Sequence, residues 1–361
     1  MRFLISLVVL LFFFLFPIPT FAAKNQFITI VNPVRGGDFW TMKDQKPVDN
    51  VNKEWTLISD NNLSATWLIR PDAMKDVGIV SLLKNLPKNQ EVGLFMEVTP
   101  TWTENTGIVY HQNANWHSAG SVFLTGYSVE ERHKLIDNSF ENFKKIFGFY
   151  PKSVGAWWID AGSLSYMREK YGIIANMDVA DQYTTDNYQV WGQYFGTPFY
   201  PAKRNALVPA TGENQKIGVV TIQWATRDPF NSYGNGVLDS TFSVQANDYA
   251  NQKYHTLTTD YFRKLLNIYL DNLYSDFGQV TVGLENDFSW DSFGGEFANQ
   301  IKEVADRKSR GTLVLTMSDF GKFYQGLYAD VSPPQIIFAI DPLGSSGKVL
   351  WYQTTKYRVG W

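Results

Sequence analysis

The chain has 361 residues, no cysteine, a formal charge of −3 and an aromatic content of 16%, including 12 Trp. Balanced charge without a basic stripe argues against nucleic acid as a partner. Without cysteines there are no disulfides and no thiolate metal sites, so stability must come from a core that a chain of this length can build.

Residues 1–23 read as a secretory signal peptide. Arg2 supplies the positive start, Phe3 to Phe16 is an apolar run broken only by Ser6, and Pro17 and Pro19 stop any helix before the small residues Thr20, Ala22 and Ala23. The run is shorter than the ~20 residues that span a bilayer. The expectation is a secreted or cell-surface protein that meets a membrane only if the signal is retained as an anchor.

From residue 24 to about 330, short apolar runs alternate with helical patterns, the signature of a parallel sheet or barrel. The expected strands are 27–31, 65–69, 91–97, 153–158, 173–178, 218–224, 280–285 and 312–316. They are apolar on both faces, as buried parallel strands are. The spacing predicts a helix over 128–147. Ser128 and Glu131 form a capping box, Val129, Ile136, Phe140, Phe143 and Phe147 make the stripe, and Gly148 is the stop. Further helices are expected over 258–277 and 293–308. The fold class is therefore α/β, a single (β/α)7–8 barrel. Long polar loops at 99–127, 179–216 and 225–257 suit an enzyme, because loops after barrel strands build active sites. After Pro333 the pattern turns to strands at 335–340 and 348–359, a β extension over 331–361 or the start of a β-module.

Polar residues at strand ends are the candidates for chemistry. Arg35 and Asp38 follow the first strand and Glu97 ends the third. Asp160 follows the fourth, Asp178 and Asp181 the fifth, and Arg227 and Asp228 the sixth. Glu285 and Asp287 end the seventh. Glu97, Asp160 and Glu285 stand out, since a carboxylate against an apolar strand is costly unless used or paired. Asp160 is expected as nucleophile or base and Glu285, or Asp287, as proton donor, with Glu97 in reserve. Trp40, Trp157, Trp158, Trp224 and Trp290 are candidate stacking surfaces for sugar rings, with Arg35 and Asp38 beside them. No cofactor is expected. The alternative is one divalent metal such as zinc on Asp38, His111 and His117, although six-residue spacing of the two histidines matches no standard ligand pattern.

The stretch GYSVEERHKLIDNSFENFKKIFGFYPKSVGAWWIDAGSLSYMREKYGI, from Gly126, resembles the glycoside hydrolase/deacetylase barrel superfamily. VTVGLENDFSWDSFGGEF and GTLVLTMSDF resemble its last two strands. The resemblance implies a barrel acting on a polysaccharide or oligosaccharide. Polysaccharide deacetylases carry an Asp-Asp pair after the first strand and a His-x-x-x-His motif after the third. Here Asp38 stands alone and Glu97 occupies the second place. Family 57 glycoside hydrolases place a nucleophilic Glu where Asp160 falls, and an acid where Gly283 falls, with Glu285 and Trp290 matching that motif's Glu and Trp. The implied function is an exported glycoside hydrolase-like enzyme. The alternatives are a metal-dependent deacetylase and an inactive glycan- or cell-wall-binding barrel.

Overall fold

The computed structural model describes residues 25–115, 117–179, 196–236, 239–271 and 274–361. The expected signal peptide, Asp181, Trp116 and Trp191 lie outside them. The strands of the main sheet are β1 (Asn25–Val34), β2 (Ala65–Ile69), β3 (Gln90–Phe95), β4 (Ser153–Gly155) and β5 (Ala175–Asp178). A small hairpin, β6 (Pro201–Ala202) and β7 (Asn205–Pro209), precedes β8 (Val220–Gln223), β9 (Phe277–Val282) and β10 (Leu313–Leu315).

The eight main strands run parallel in the order β10-β1-β2-β3-β4-β5-β8, with β9 on the other side of β1. β1 organises the sheet and is buried from Phe27 onward. Its first half pairs with both β9 and β10, and its second half with β2. The segment after β8 closes the barrel onto β9 and β1 through single bonds rather than a ladder, among them Thr226 N to the Thr281 carbonyl at 3.4 Å. Thr281 N donates to Thr226 Oγ1 at 3.0 Å, and Trp224 Nε1 donates to the Val31 carbonyl at 2.9 Å. The expected α/β barrel is thus present and nearly closed.

Local rules account for most elements. The helix Val129–Phe147 starts at the Ser128–Glu131 capping box and ends at Gly148 with φ 86°, a left-handed position that favours glycine. Its buried face is Leu135, Ile136, Ser139, Phe140 and Phe143. Val129, counted in the stripe, is 59% exposed because it begins the helix, ahead of the packed turns. Several strands are shorter than expected, β4 ending at Gly155 rather than 158, and two boundaries bear on the site. The helix Thr259–Leu270 stops well short of 277, since Phe277 already pairs with Asn25. β9 therefore ends at Val282, and Glu285 sits in the loop beyond it.

The C-terminal segment is a three-stranded antiparallel sheet of β11 (Gln335–Ile340), β12 (Lys348–Gln353) and β13 (Arg358–Gly360). Ile336 N donates to Ser275 Oγ and Trp351 Nε1 to the Pro229 carbonyl, which fastens this sheet to the barrel. Among the described residues no helix is long and apolar enough to cross a membrane.

Candidate active site

Parallel strands deliver the residues that follow them to one rim. Arg35 follows β1, Arg70 follows β2, Glu97 follows β3 and Trp157 follows β4; Trp224 and Arg227 follow β8, and Glu285 follows β9. All are buried. Such burial of charge holds only where each group is paired.

Arg35 is the hub. Its Nε and Nη2 donate to the two Glu97 oxygens at 3.2 Å each. Its Nη1 lies 2.9 Å from Glu285 Oε2 and also donates to Asp287 Oδ2. Its backbone N donates to Asn286 Oδ1, and Asn286 Nδ2 returns the bond to the Arg35 carbonyl, locking the β1 loop to the β9 loop. The guanidinium carbon stands 5.2 Å from the Trp157 ring centre, a cation–π distance.

Glu97 is saturated. Besides Arg35, Arg70 Nη1 donates to Oε2 at 2.7 Å and Trp157 Nε1 to Oε1 at 3.1 Å. Burial alone pushes the Glu97 carboxyl up, but Arg35 and Arg70 outweigh it and hold the group below the usual carboxylate range. With four donors on two oxygens, Glu97 anchors the rim and has no lone pair directed at a substrate. Arg70 is clamped further by Asp72, at 2.6 and 2.9 Å.

Beside this network lies a cleft of about 310 Å3. Its aromatic wall is Trp224, Tyr254 and Phe288; its charged and amide groups include Glu285, Asp248, Arg227 and Gln245. Gln245 Nε2 donates to Glu285 Oε1 at 3.1 Å, so each Glu285 oxygen has a defined partner. Asp248 Oδ2 accepts from Ser243 Oγ at 2.8 Å and lies 3.6 Å from Arg227 Nη1. Gly283 lies just before Glu285 where a Cβ would overlap the Val31 carbonyl oxygen and crowd Trp224 Nε1. The acid that family 57 places there has no room on this backbone.

The structure brings Glu97, Glu285, Asp287, Arg35 and Trp157 together and leaves Asp160 outside that set. Asp160 caps the helix Ala161–Tyr171, accepting from Ser163 N at 3.0 Å and Ser163 Oγ at 2.6 Å, and pairs with Arg132 at 3.1 Å. The capping preference of Asp after a strand explains the position. Of the five tryptophans, Trp224 lines the cleft. Trp157 packs behind it at 5.8 Å, and both are buried, so they form a floor rather than an exposed platform. Trp158 packs edge-on against Phe123, Trp290 lies under Lys53, and Trp40 donates to the Met42 and Gln45 carbonyls. Asp248 was not among the residues expected at the site. Its only sequence signal is its place in the long loop after the sixth expected strand.

The zinc alternative does not fit. Asp38 receives the backbone N and hydroxyl of Thr101 at 2.9 and 2.8 Å. His111 stacks on Tyr127 with Nδ1 at the Gly120 carbonyl, and His117 lies further along the same loop. Among the described residues no three His, Asp or Glu converge as a zinc site requires.

Comparison with known proteins agrees with this architecture. A structure described as a candidate glycoside hydrolase/deacetylase from Parabacteroides distasonis superposes with a TM-score of 0.68 at 17% identity, covering 95% of this chain and 82% of that one. A candidate polysaccharide deacetylase from Mycobacterium smegmatis gives a TM-score of 0.48 at 11% identity over 86% and 94% of the chains. A GH57-type branching enzyme from Pyrococcus horikoshii gives 0.44 at 10% identity over 83% and 70%. No curated relative matches the sequence. The first of these likenesses establishes a shared barrel fold. The model of one family, described as a domain of unknown function with solved structure (DUF3863), matches residues 96–347, and the chain belongs to that family.

Proposed function

We propose that the mature chain is an exported carbohydrate-active enzyme of glycoside hydrolase type, with a sugar ring against Trp224 and with Glu285 and Asp248 as its carboxylate pair. The observation that carries this reading is the make-up of one cleft, in which aromatic faces, amides and two carboxylates line the same space. A sugar offers C–H faces that stack on aromatic rings and hydroxyls that need donors and acceptors together. Hydrolysis divides the work between a carboxylate that attacks or activates water and a carboxyl that protonates the leaving oxygen. Glu285, oriented by Arg35 and Gln245, suits the first task. Asp248, lining the same cleft, is assigned the second. Trp224, held on the Val31 carbonyl, keeps the ring-facing surface rigid.

A second reading, glycan binding without turnover, draws on one observation: both cleft carboxylates face a guanidinium. The deciding experiment is a panel of polysaccharides and cell-wall oligosaccharides assayed for binding, reducing-end release and acetate release. Glu285→Gln and Asp248→Asn should each cut reducing-end release about 100-fold or more while binding persists. Binding without release in the wild type selects the second reading. Acetate release selects deacetylation, and neither binding nor release removes the carbohydrate reading.

A further inference from the structure

The helix Pro47–Asp60 faces the barrel with Asn50, Val51, Glu54 and Ile58. Glu54 is fully buried, and neither of its oxygens receives a hydrogen bond. One turn earlier, Asn50 Nδ2 donates to the carbonyls of Asn286 and Phe288 at 2.8 and 3.2 Å. This fastens the same helix face to the loop that carries Glu285 and Asp287. Asp287 has a matching deficit. Its Oδ2 is held by Arg35, while its Oδ1 is buried without a donor.

The charged groups whose fields reach Glu54 are acidic. Burial first, then Asp287, then Glu285 push its carboxyl well above the usual range. Arg35 is already shared among Glu97, Glu285 and Asp287, and Lys53 on the same helix lies over the Trp290 ring. A fourth negative charge beside one guanidinium would be uncompensated.

We propose that Glu54 carries a proton at neutral pH and donates it to Asp287 Oδ1, forming a carboxyl–carboxylate clamp that holds Arg35 against Glu285. One proton satisfies atoms that otherwise have no donor: it turns a Glu54 oxygen from acceptor into donor and fills the empty acceptor on Asp287. Glu54 does not line the cleft. It is a positioning residue, acting through Asp287 and Arg35 on Glu285. Its role in turnover rests on the carbohydrate reading above, whereas its protonation stands independently of it.

The direct test is infrared spectroscopy of the full chain at neutral pH. A protonated-carboxyl C=O band of Glu54 is expected in the wild-type-minus-Glu54→Gln difference spectrum, over the unchanged background of other buried carboxyls such as Asp178. A difference spectrum without that band overturns the proposal. Should Glu54→Gln fail to fold, Asp287→Asn serves instead. Its amide can donate to Glu54, so the band should weaken or vanish, and an unchanged band counts against the clamp. Thermal melting gives a second readout. A carboxyl whose folded pKa is raised contributes stability that is fully present below its unfolded value, about 4.3, and is lost as pH rises through the folded value. Glu54→Gln should therefore melt higher than wild type at neutral pH, with the gap widening upward from about pH 5; a lower melting point with a parallel pH dependence refutes the assignment. In the turnover assay the wild type should lose rate on the alkaline side as Glu54 ionises, and Glu54→Gln should lack that limb. If no glycan is turned over but the infrared band is present and lost on substitution, the carbohydrate reading fails and the clamp survives.

Discussion

Glu97→Gln tests the proposition that the Arg35–Glu97–Arg70 network holds the rim together. The substitution keeps shape and removes charge. Glu97 accepts from Arg35 twice at 3.2 Å, from Arg70 at 2.7 Å and from Trp157 at 3.1 Å, so three of its four bonds join opposite charges. Removing one partner of a buried ion pair costs ~3–5 kcal/mol, because the other charge stays buried. Here Arg35 retains Glu285 and Asp287, and Arg70 retains Asp72, which favours the lower end. At ~2.1 cal/mol/K per residue the chain unfolds with an entropy of roughly 0.7 kcal/mol/K, so ~3 kcal/mol corresponds to a fall in Tm of about 4 °C. The sign with pH is also determined. Because Arg35 and Arg70 overcome burial and depress the Glu97 carboxyl, its stabilisation is present above the ordinary glutamate value and lost as pH falls through the depressed one. Calorimetry of both proteins from about pH 2 to pH 8 should show a deficit that is steady near neutrality and narrows below about pH 4.3. A deficit under ~1 kcal/mol at neutral pH, the scale of a surface ion pair, would refute the reasoning.

Three further outcomes follow from particular residues. Asp160→Ala removes a helix cap and should cost ~1 kcal/mol with glycan turnover unchanged; a hundredfold loss of turnover would restore Asp160 as nucleophile. Asp178 is pushed up to about 8 by burial, against the bond from Asn176, so its contribution declines as pH rises from the ordinary aspartate range toward 8. Asp178→Asn should flatten that decline in a melting series, and parallel curves would refute the assignment. N-terminal sequencing of exported protein should begin at Ala23 or Lys24, and a membrane-bound species beginning at Met1 would favour a retained anchor.

Much of the architecture was legible along the chain, because it depends on local chemistry. The 65–69 strand is read residue for residue from its β-branched and aromatic run. The Ser128–Glu131 box and Gly148 delimit a helix by satisfying its own end groups. The carboxylates at strand ends could be nominated because parallel strands share one rim. What each carboxylate does depends on partners far away in sequence, which no local pattern encodes. Asp160 and Glu285 looked equivalent as residues after strands. One bonds Ser163 three positions on and serves a helix, whereas the other meets Arg35 and Gln245 across 250 and 40 positions. Glu97 looked like a spare catalytic acid and is held by two arginines. Glu54 gave no signal, since a glutamate in an amphipathic helix reads as surface until the fold turns that face inward. Local sequence determined which segments became strands and helices; the closing of β1 onto β9 decided which charges meet, because pairing energy depends on distance and burial that only the assembled barrel creates.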